Sequence, residues 1–199
     1  MNLFRTLSGA ALVCLSAAGF TACISAPDYP DEPEIDFKEL TVGRNRPGGG
    51  NLPVDTLKFA LDFKDGDGDL GLSDDDIRNA PFNSNTGGPN NRGYSYNYFI
   101  QPFKKNPTSG VFERFVTPLG FVGEYDGRFL RLDGTNTTDA KPAPLRGTLR
   151  YKLPISIDGN SQFPGVFNIG DTFRFEISIM DRALHQSNKI TTSEVTLGR

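Results

Sequence analysis

The chain has 199 residues, with 21 Lys and Arg against 24 Asp and Glu, one His, two Cys, no Trp and a formal net charge of −3. That balance supplies neither the basic footprint of a nucleic-acid binder nor a polybasic patch for anionic lipid. Both cysteines, Cys14 and Cys23, precede residue 24, so the rest of the chain forms no internal disulfide and must stand on its core.

Residues 1–22 carry one charge, Arg5, followed by an apolar stretch from Leu7 to Phe20 and the sequence Thr21-Ala22-Cys23. A charged start, an apolar middle and a small-residue end form the layout of an export signal. The apolar run falls short of the roughly 20 residues a bilayer core requires. An ordinary secretory signal fits as far as Ala22, and the cysteine that follows decides between the readings. Phe20-Thr21-Ala22-Cys23 resembles a bacterial lipobox, in which the cysteine becomes the lipidated mature N-terminus. The resemblance implies acylation at Cys23, attachment to a membrane through the lipid, and a place in the cell envelope at the outer membrane. Each buried CH₂ of an acyl chain adds about 0.8 kcal/mol of membrane affinity, so two or three chains make attachment lasting. Loss of residues 1–22 removes Arg5 and no acid, leaving 20 basic against 24 acidic side chains.

Residues 23–33 read as a tether. Positions 24–33 hold three prolines and three acids with few large apolar groups, a composition that stays extended and buries little. Acids shortly after a lipidated cysteine also resemble the export signal of surface-exposed lipoproteins in Bacteroidota.

From residue 34 onward the pattern is that of strands. Ile35, Phe37, Leu40 and Val42 alternate imperfectly, whereas Leu57, Phe59, Leu61 and Phe63 alternate strictly. Tyr94, Tyr96 and Tyr98 continue the period, Val111–Val116 and Phe129–Leu132 form shorter runs, and Leu149–Ile155 and Phe173–Ile179 alternate again before a Thr- and Val-rich end at Ile190–Leu197. Period-2 patterning with β-branched and aromatic enrichment predicts half-buried strands, with Gly and Pro marking the turns. About eight strands and no crossover helices predict one all-β domain over 34–199: an antiparallel β-sandwich, immunoglobulin-like. Three long loops are expected, at 43–54, 79–93 and 133–147.

The chemistry concentrates in residues 65–76, Asp-Gly-Asp-Gly-Asp-Leu-Gly-Leu-Ser-Asp-Asp-Asp. Six carboxylates in so short a run repel one another unless something offsets them. Ca²⁺ accepts six to eight oxygens in a flexible shell, and Asp65, Asp67 and Asp69 sit at the 1, 3, 5 spacing of a calcium loop, with Asp76 at the twelfth position. The run resembles an EF-hand loop, yet Leu70 stands where the sharp-turn glycine belongs, Asp76 replaces the bidentate Glu, and a strand rather than a helix precedes it. Turn chemistry offers another account: Asp-Gly pairs close strands, and Ser73 with Asp76 fits a capping box at a short helical turn. That account covers Asp74–Asp76 but not the spacing of Asp65, Asp67 and Asp69. In a sandwich the loop leaving the second strand shares an end with the loop joining the last two, so Asp181 and Asn188 are expected near the same cation. A structural Ca²⁺ held by Asp65, Asp67, Asp69, Asp76 and Asp181 is the resulting expectation.

Asp65-Gly66-Asp67-Gly68-Asp69-Leu70-Gly71 after a strand, with Met180-Asp181-Arg182-Ala183-Leu184-His185-Gln186-Ser187-Asn188 before a final strand, resembles uncharacterised lipoproteins of Bacteroidota. That resemblance implies an immunoglobulin-like lipoprotein without catalytic residues. Asp181, His185 and Ser187 are close in sequence, but a short hairpin loop seldom supplies the base, nucleophile and oxyanion site of a triad; no enzyme activity is expected. Asp55-Thr56-Leu57 resembles the acceptor of Bacteroidota protein O-glycosylation. Tyr94, Tyr96 and Tyr98 are candidate ligand contacts, since an exposed row of tyrosines stacks on sugars or anchors a protein. The expected role is a non-catalytic binding or structural accessory in the envelope, partnered by an envelope protein or a glycan. The alternative is a glycan-binding accessory of an outer-membrane nutrient-uptake system; a third reading, a hydrolase, would need a converging pair of carboxylates.

Overall fold

The computed structural model describes residues 28–46, 53–118, 120–132, 143–157 and 166–198. Cys23, the signal segment 1–22 and the tether before Asp28 lie outside them, as do parts of the long loops expected at 43–54 and 133–147.

Eight strands form two antiparallel sheets. The first contains β1 (Glu34–Asn45), β2 (Val54–Asp65) and β5 (Leu145–Ser156), in the order β1-β2-β5. The second contains β3 (Tyr98–Lys105), β4 (Phe112–Arg114), β6 (Thr172–Ile179) and the short β7 (Ile190–Thr191) and β8 (Val195–Thr196), in the order β4-β3-β6 with β7 and β8 both on β6. This is the β-sandwich the alternation predicts. Its order is immunoglobulin-like, with the fourth strand on the second sheet.

The sequence periodicity translates directly into the core. Leu57, Phe59 and Leu61 of β2 and Phe173, Phe175, Ile177 and Ile179 of β6 are all buried. An irregularity between Phe37 and Glu39 sets Lys38 outside the pairing, so Ile35 and Phe37 face Phe63 and Leu61 while Leu40 and Val42 face Phe59 and Leu57. The imperfect alternation of β1 is therefore a β-bulge, which shifts the phase by one residue and keeps the apolar side inward. Antibody domains join their second and sixth strands with a disulfide. Here Phe59 and Phe175 meet edge to face across the same gap, with ring centroids 5.1 Å apart, and Tyr98 stacks on Tyr151 at 4.7 Å.

Two expected strands differ. The tyrosine alternation does not continue the sheet: β3 begins only at Tyr98. The residues before it pair elsewhere. The amides of Asn97 and Tyr98 both donate to the Gly127 carbonyl, and the Asn97 side chain exchanges two hydrogen bonds with the backbone of Phe129. Phe129–Leu132 in turn lies along the acidic loop, with Leu72 N–H donating to Phe129 and Leu132 N–H to Leu70. Among the described residues the helical turn expected after Ser73 is a single 3-10 turn, Asp76–Arg78.

Replacing Phe59 with Ala removes the inter-sheet edge-to-face contact and leaves a cavity, and is expected to lower the unfolding free energy by about 3–5 kcal/mol. Urea denaturation of the two proteins measures it; a loss below about 1 kcal/mol, the range of an ordinary substitution, would show that the sheets do not depend on this pair.

Candidate metal centre

β2 ends at Asp65, and the loop that follows turns back across one end of the sandwich. Two glycines allow this by admitting foreign backbone. A Cβ on Gly66 would run into the Tyr29 carbonyl and lie 2.7 Å from that of Pro30, and Gly66 N–H donates to Pro30 at 2.8 Å. Gly68, at φ +70°, lies against the Ala143 carbonyl just before β5. Leu70 then pairs with Asp181 in an isolated bridge, which brings in the loop after β6. The repeated glycines thus do more than turn the chain: they let the acidic loop gather three other segments.

Carboxylate oxygens of Asp65, Asp69 and Asp181 lie within 4.8 Å of one another. Two oxygens bound to one Ca²⁺ at 2.3–2.6 Å stand at most about 5 Å apart, so the three can share a cation of that size. The decisive member is Asp65. Its residue is 0% exposed, and neither carboxylate oxygen has a hydrogen-bond partner. The Asp69 amide opposes its pKa shift without reaching hydrogen-bond geometry. Asp67 lies beside the group with a buried, unpartnered Oδ1. Asp69 accepts from the backbone amides of Arg182 and Ala183 at 3.3 and 3.0 Å, and Asp181 accepts from the His185 amide at 2.7 Å with its ring Nδ1 3.0 Å away.

The electrostatics follow from this crowding. Burial, and then the charges of Asp67, Asp69 and Asp181, push the Asp65 carboxyl up to about 7. Burial and the neighbouring Asp181 and Asp67 push Asp69 up to about 6, against the pull of Arg182. Burial also raises Asp181, with His185 opposing, while Asp181 raises His185. Enclosed aspartates elsewhere have donors. Asp55, also 0% exposed, pairs with Arg46 at 2.7 Å and accepts from Gly198 N–H. Asp126 accepts from Asn90 and from the Ile100 amide. Asp65 has none, although a buried carboxylate without compensation costs several kcal/mol. Three carboxylates converging at Ca²⁺ spacing, the innermost with both oxygens unanswered, are the donor set a hard cation takes; Mg²⁺, with its shorter bonds and retained waters, suits it less.

Not all expected ligands converge. Asp76 is a correction: it sits away from the group, bound by Arg131 Nε and Nη2 at 2.8 and 2.5 Å and capping Ser73 N–H. The Arg131 guanidinium holds its carboxyl well below the usual range. The capping-box account, not the twelfth-ligand account, describes that residue. Asn188 also faces elsewhere, its amide side chain exchanging two hydrogen bonds with Ile35 of β1 at 2.8 Å each. Sequence reasoning overlooked Arg182 and the contact with Pro30, which no spacing could reveal because both depend on chain segments meeting in space.

The tyrosine row is likewise corrected. Tyr98 is buried in the core, Tyr96 carries the Arg92 guanidinium over its ring at 4.3 Å and accepts from it at its hydroxyl, and Tyr94 packs on Gly87. No shared face results. A groove of about 380 Å³ on the outer side of the second sheet is lined instead by Phe99, Phe103, Gln101, Glu176 and Ser178. Ser187 Oγ donates to the Asn188 carbonyl and accepts from the Ile179 amide, so its hydroxyl is engaged with backbone. Thr56, after the buried Asp55, is a half-buried residue within β2, between Gly43 of β1 and Pro154 of β5. No protein-family model, curated protein or solved structure matches the chain.

With their folded pKa values above the ordinary aspartate value, Asp65 and Asp69 bind more protons folded than unfolded, so metal-free stability falls as pH rises toward 7. His185, also raised, acts in the same direction. Asp76, lowered, acts oppositely, but its effect is complete above the ordinary aspartate range. In chelator the unfolding midpoint should therefore drop between about pH 5 and about pH 7.5, and the drop should shrink in Asp65→Asn. That variant carries no charge to desolvate or to repel Asp67, Asp69 and Asp181, and should gain about 1–3 kcal/mol at neutral pH in chelator, the charge penalty less the cost of an unpartnered amide. A wild-type midpoint that rises across this window would contradict the assignment.

Proposed function

We propose that the protein is a lipid-anchored component of the cell envelope, a non-catalytic accessory whose sandwich is rigidified at one end by a structural Ca²⁺ ligated by Asp65, Asp69 and Asp181, with Asp67 as a further ligand. The observation that carries the metal is the fully enclosed Asp65 carboxylate with both oxygens unanswered, facing two further carboxylates. The anchor rests on the Phe20-Thr21-Ala22-Cys23 run and its resemblance to a lipobox, and the outer-membrane assignment on the resemblance to Bacteroidota lipoproteins. A bound cation would offset about half the charge of the four carboxylates, supply the charge that no side chain supplies to Asp65, and cross-link the loop after β2 to the loop after β6. Support for a non-catalytic role comes from the engagement of His185 with Asp181 and of Ser187 with backbone. The burial of Tyr98 weighs against a three-tyrosine platform, the feature from which the glycan-binding alternative is argued.

Saturating Ca²⁺ should raise the thermal midpoint by about 5–10 °C over chelator, the shift expected for a ligand at about a hundred times its Kd on a domain of this size. An equal midpoint in both conditions would refute the metal. Cys23→Ser should leave the protein in the soluble envelope fraction; undiminished membrane retention would refute the anchor.

A further inference from the structure

The tether and the candidate cation site occupy the same place. The last described tether residues run directly over the acidic loop: the Pro30 carbonyl accepts from Gly66 N–H, the amide between Asp65 and Asp67, and the Tyr29 carbonyl lies so close that only glycine fits beneath it. Asn188 holds Ile35, the second residue of β1. The chain leading into β1 is thus gripped by the two loops that carry Asp65, Asp69 and Asp181. Without a cation, those carboxylates repel one another across a span of 4.8 Å or less, and the loop carrying Gly66 has every electrostatic reason to open.

We propose that cation occupancy at Asp65, Asp69 and Asp181 governs whether the tether is docked on the domain, so that Ca²⁺ sets the stance of the sandwich relative to its anchor. The proposal rests on the calcium reading above and adds a regulated consequence to it. With the tether docked, only the residues between Cys23 and Pro30 separate the lipid from the fold, at most about 25 Å of extended chain. With it released as far as β1, the leash lengthens by four residues, about 14 Å. Docking also fixes which end faces the anchor: the acidic loop and the loop after β6 lie toward it, and the Asn45 and Val54 ends of β1 and β2 lie away. By reciprocity, a docked tether must tighten cation binding by the same factor as the cation tightens docking.

Two measurements on the full lipidated protein separate this inference from the metal reading. Calorimetric titration with CaCl₂ reads binding, and amide hydrogen exchange in calcium and in chelator reads docking. The expected result is calcium binding together with an about tenfold slowing of exchange at Gly66 and over residues 28–35, while the central amides of β2 are unchanged. Calcium binding with no change in exchange at Gly66 overturns the inference and leaves the metal site standing; no calcium binding overturns both. The variant Gly66→Ala removes no carboxylate but displaces Tyr29 and Pro30, and should weaken calcium binding about tenfold. An unaltered affinity in a variant whose β2 amides remain protected overturns the coupling.

Discussion

A carboxyl group enclosed by protein and bonded to nothing is costly to a fold, most of all when ionised, and one end of this sandwich is organised around such a group. Asp65 closes β2, so its burial is a direct result of the strand running fully into the core. The loop that follows cannot leave for solvent, because Leu70 and Leu72 are themselves buried. It must double back, and in doing so it places Asp67 and Asp69 beside Asp65 and meets Asp181 at the Leu70 bridge. The position of each neighbouring segment, from Pro30 to Ala143, follows from how that loop lies.

The opposite end solves the same problem differently. Asp55 near the start of β2 is as deeply enclosed, but Arg46, Arg44 and the amide of Gly198 surround it, so the charge is neutralised within the chain and the C-terminal residues are held in place. One strand thus carries a buried aspartate near each end, one satisfied within the chain and one whose oxygens meet no donor.

The sandwich was legible in the sequence because a half-buried strand writes its burial as a period of two, and Leu57–Phe63 and Phe173–Ile179 do so without interruption. The bulge at Lys38 blurred that period in β1 without hiding it. Periodicity misled at Tyr94–Tyr98, where Gly127 and Phe129 offered the backbone other partners, and alternation alone carries no record of partners. Convergence of Asp181 on the acidic loop was legible only through topology. The fate of Asp76 was not, since its partner Arg131 lies 55 positions away in sequence and competes with any metal for the same oxygens. The grip of Pro30 on Gly66 had no signal beyond a glycine that also reads as a turn.

The sheet margins have a bearing on self-association. An open strand edge is the usual route by which β proteins add to one another. β5, the outer strand of the first sheet, carries Arg146, Arg150 and Lys152 and is interrupted by Pro154, which lacks a donor. β1, the other margin, is broken by its bulge, and the far side of the second sheet ends in two strands of two residues each. Charge, a proline without a donor, a bulge and short strands are the devices by which sheet margins discourage edge pairing.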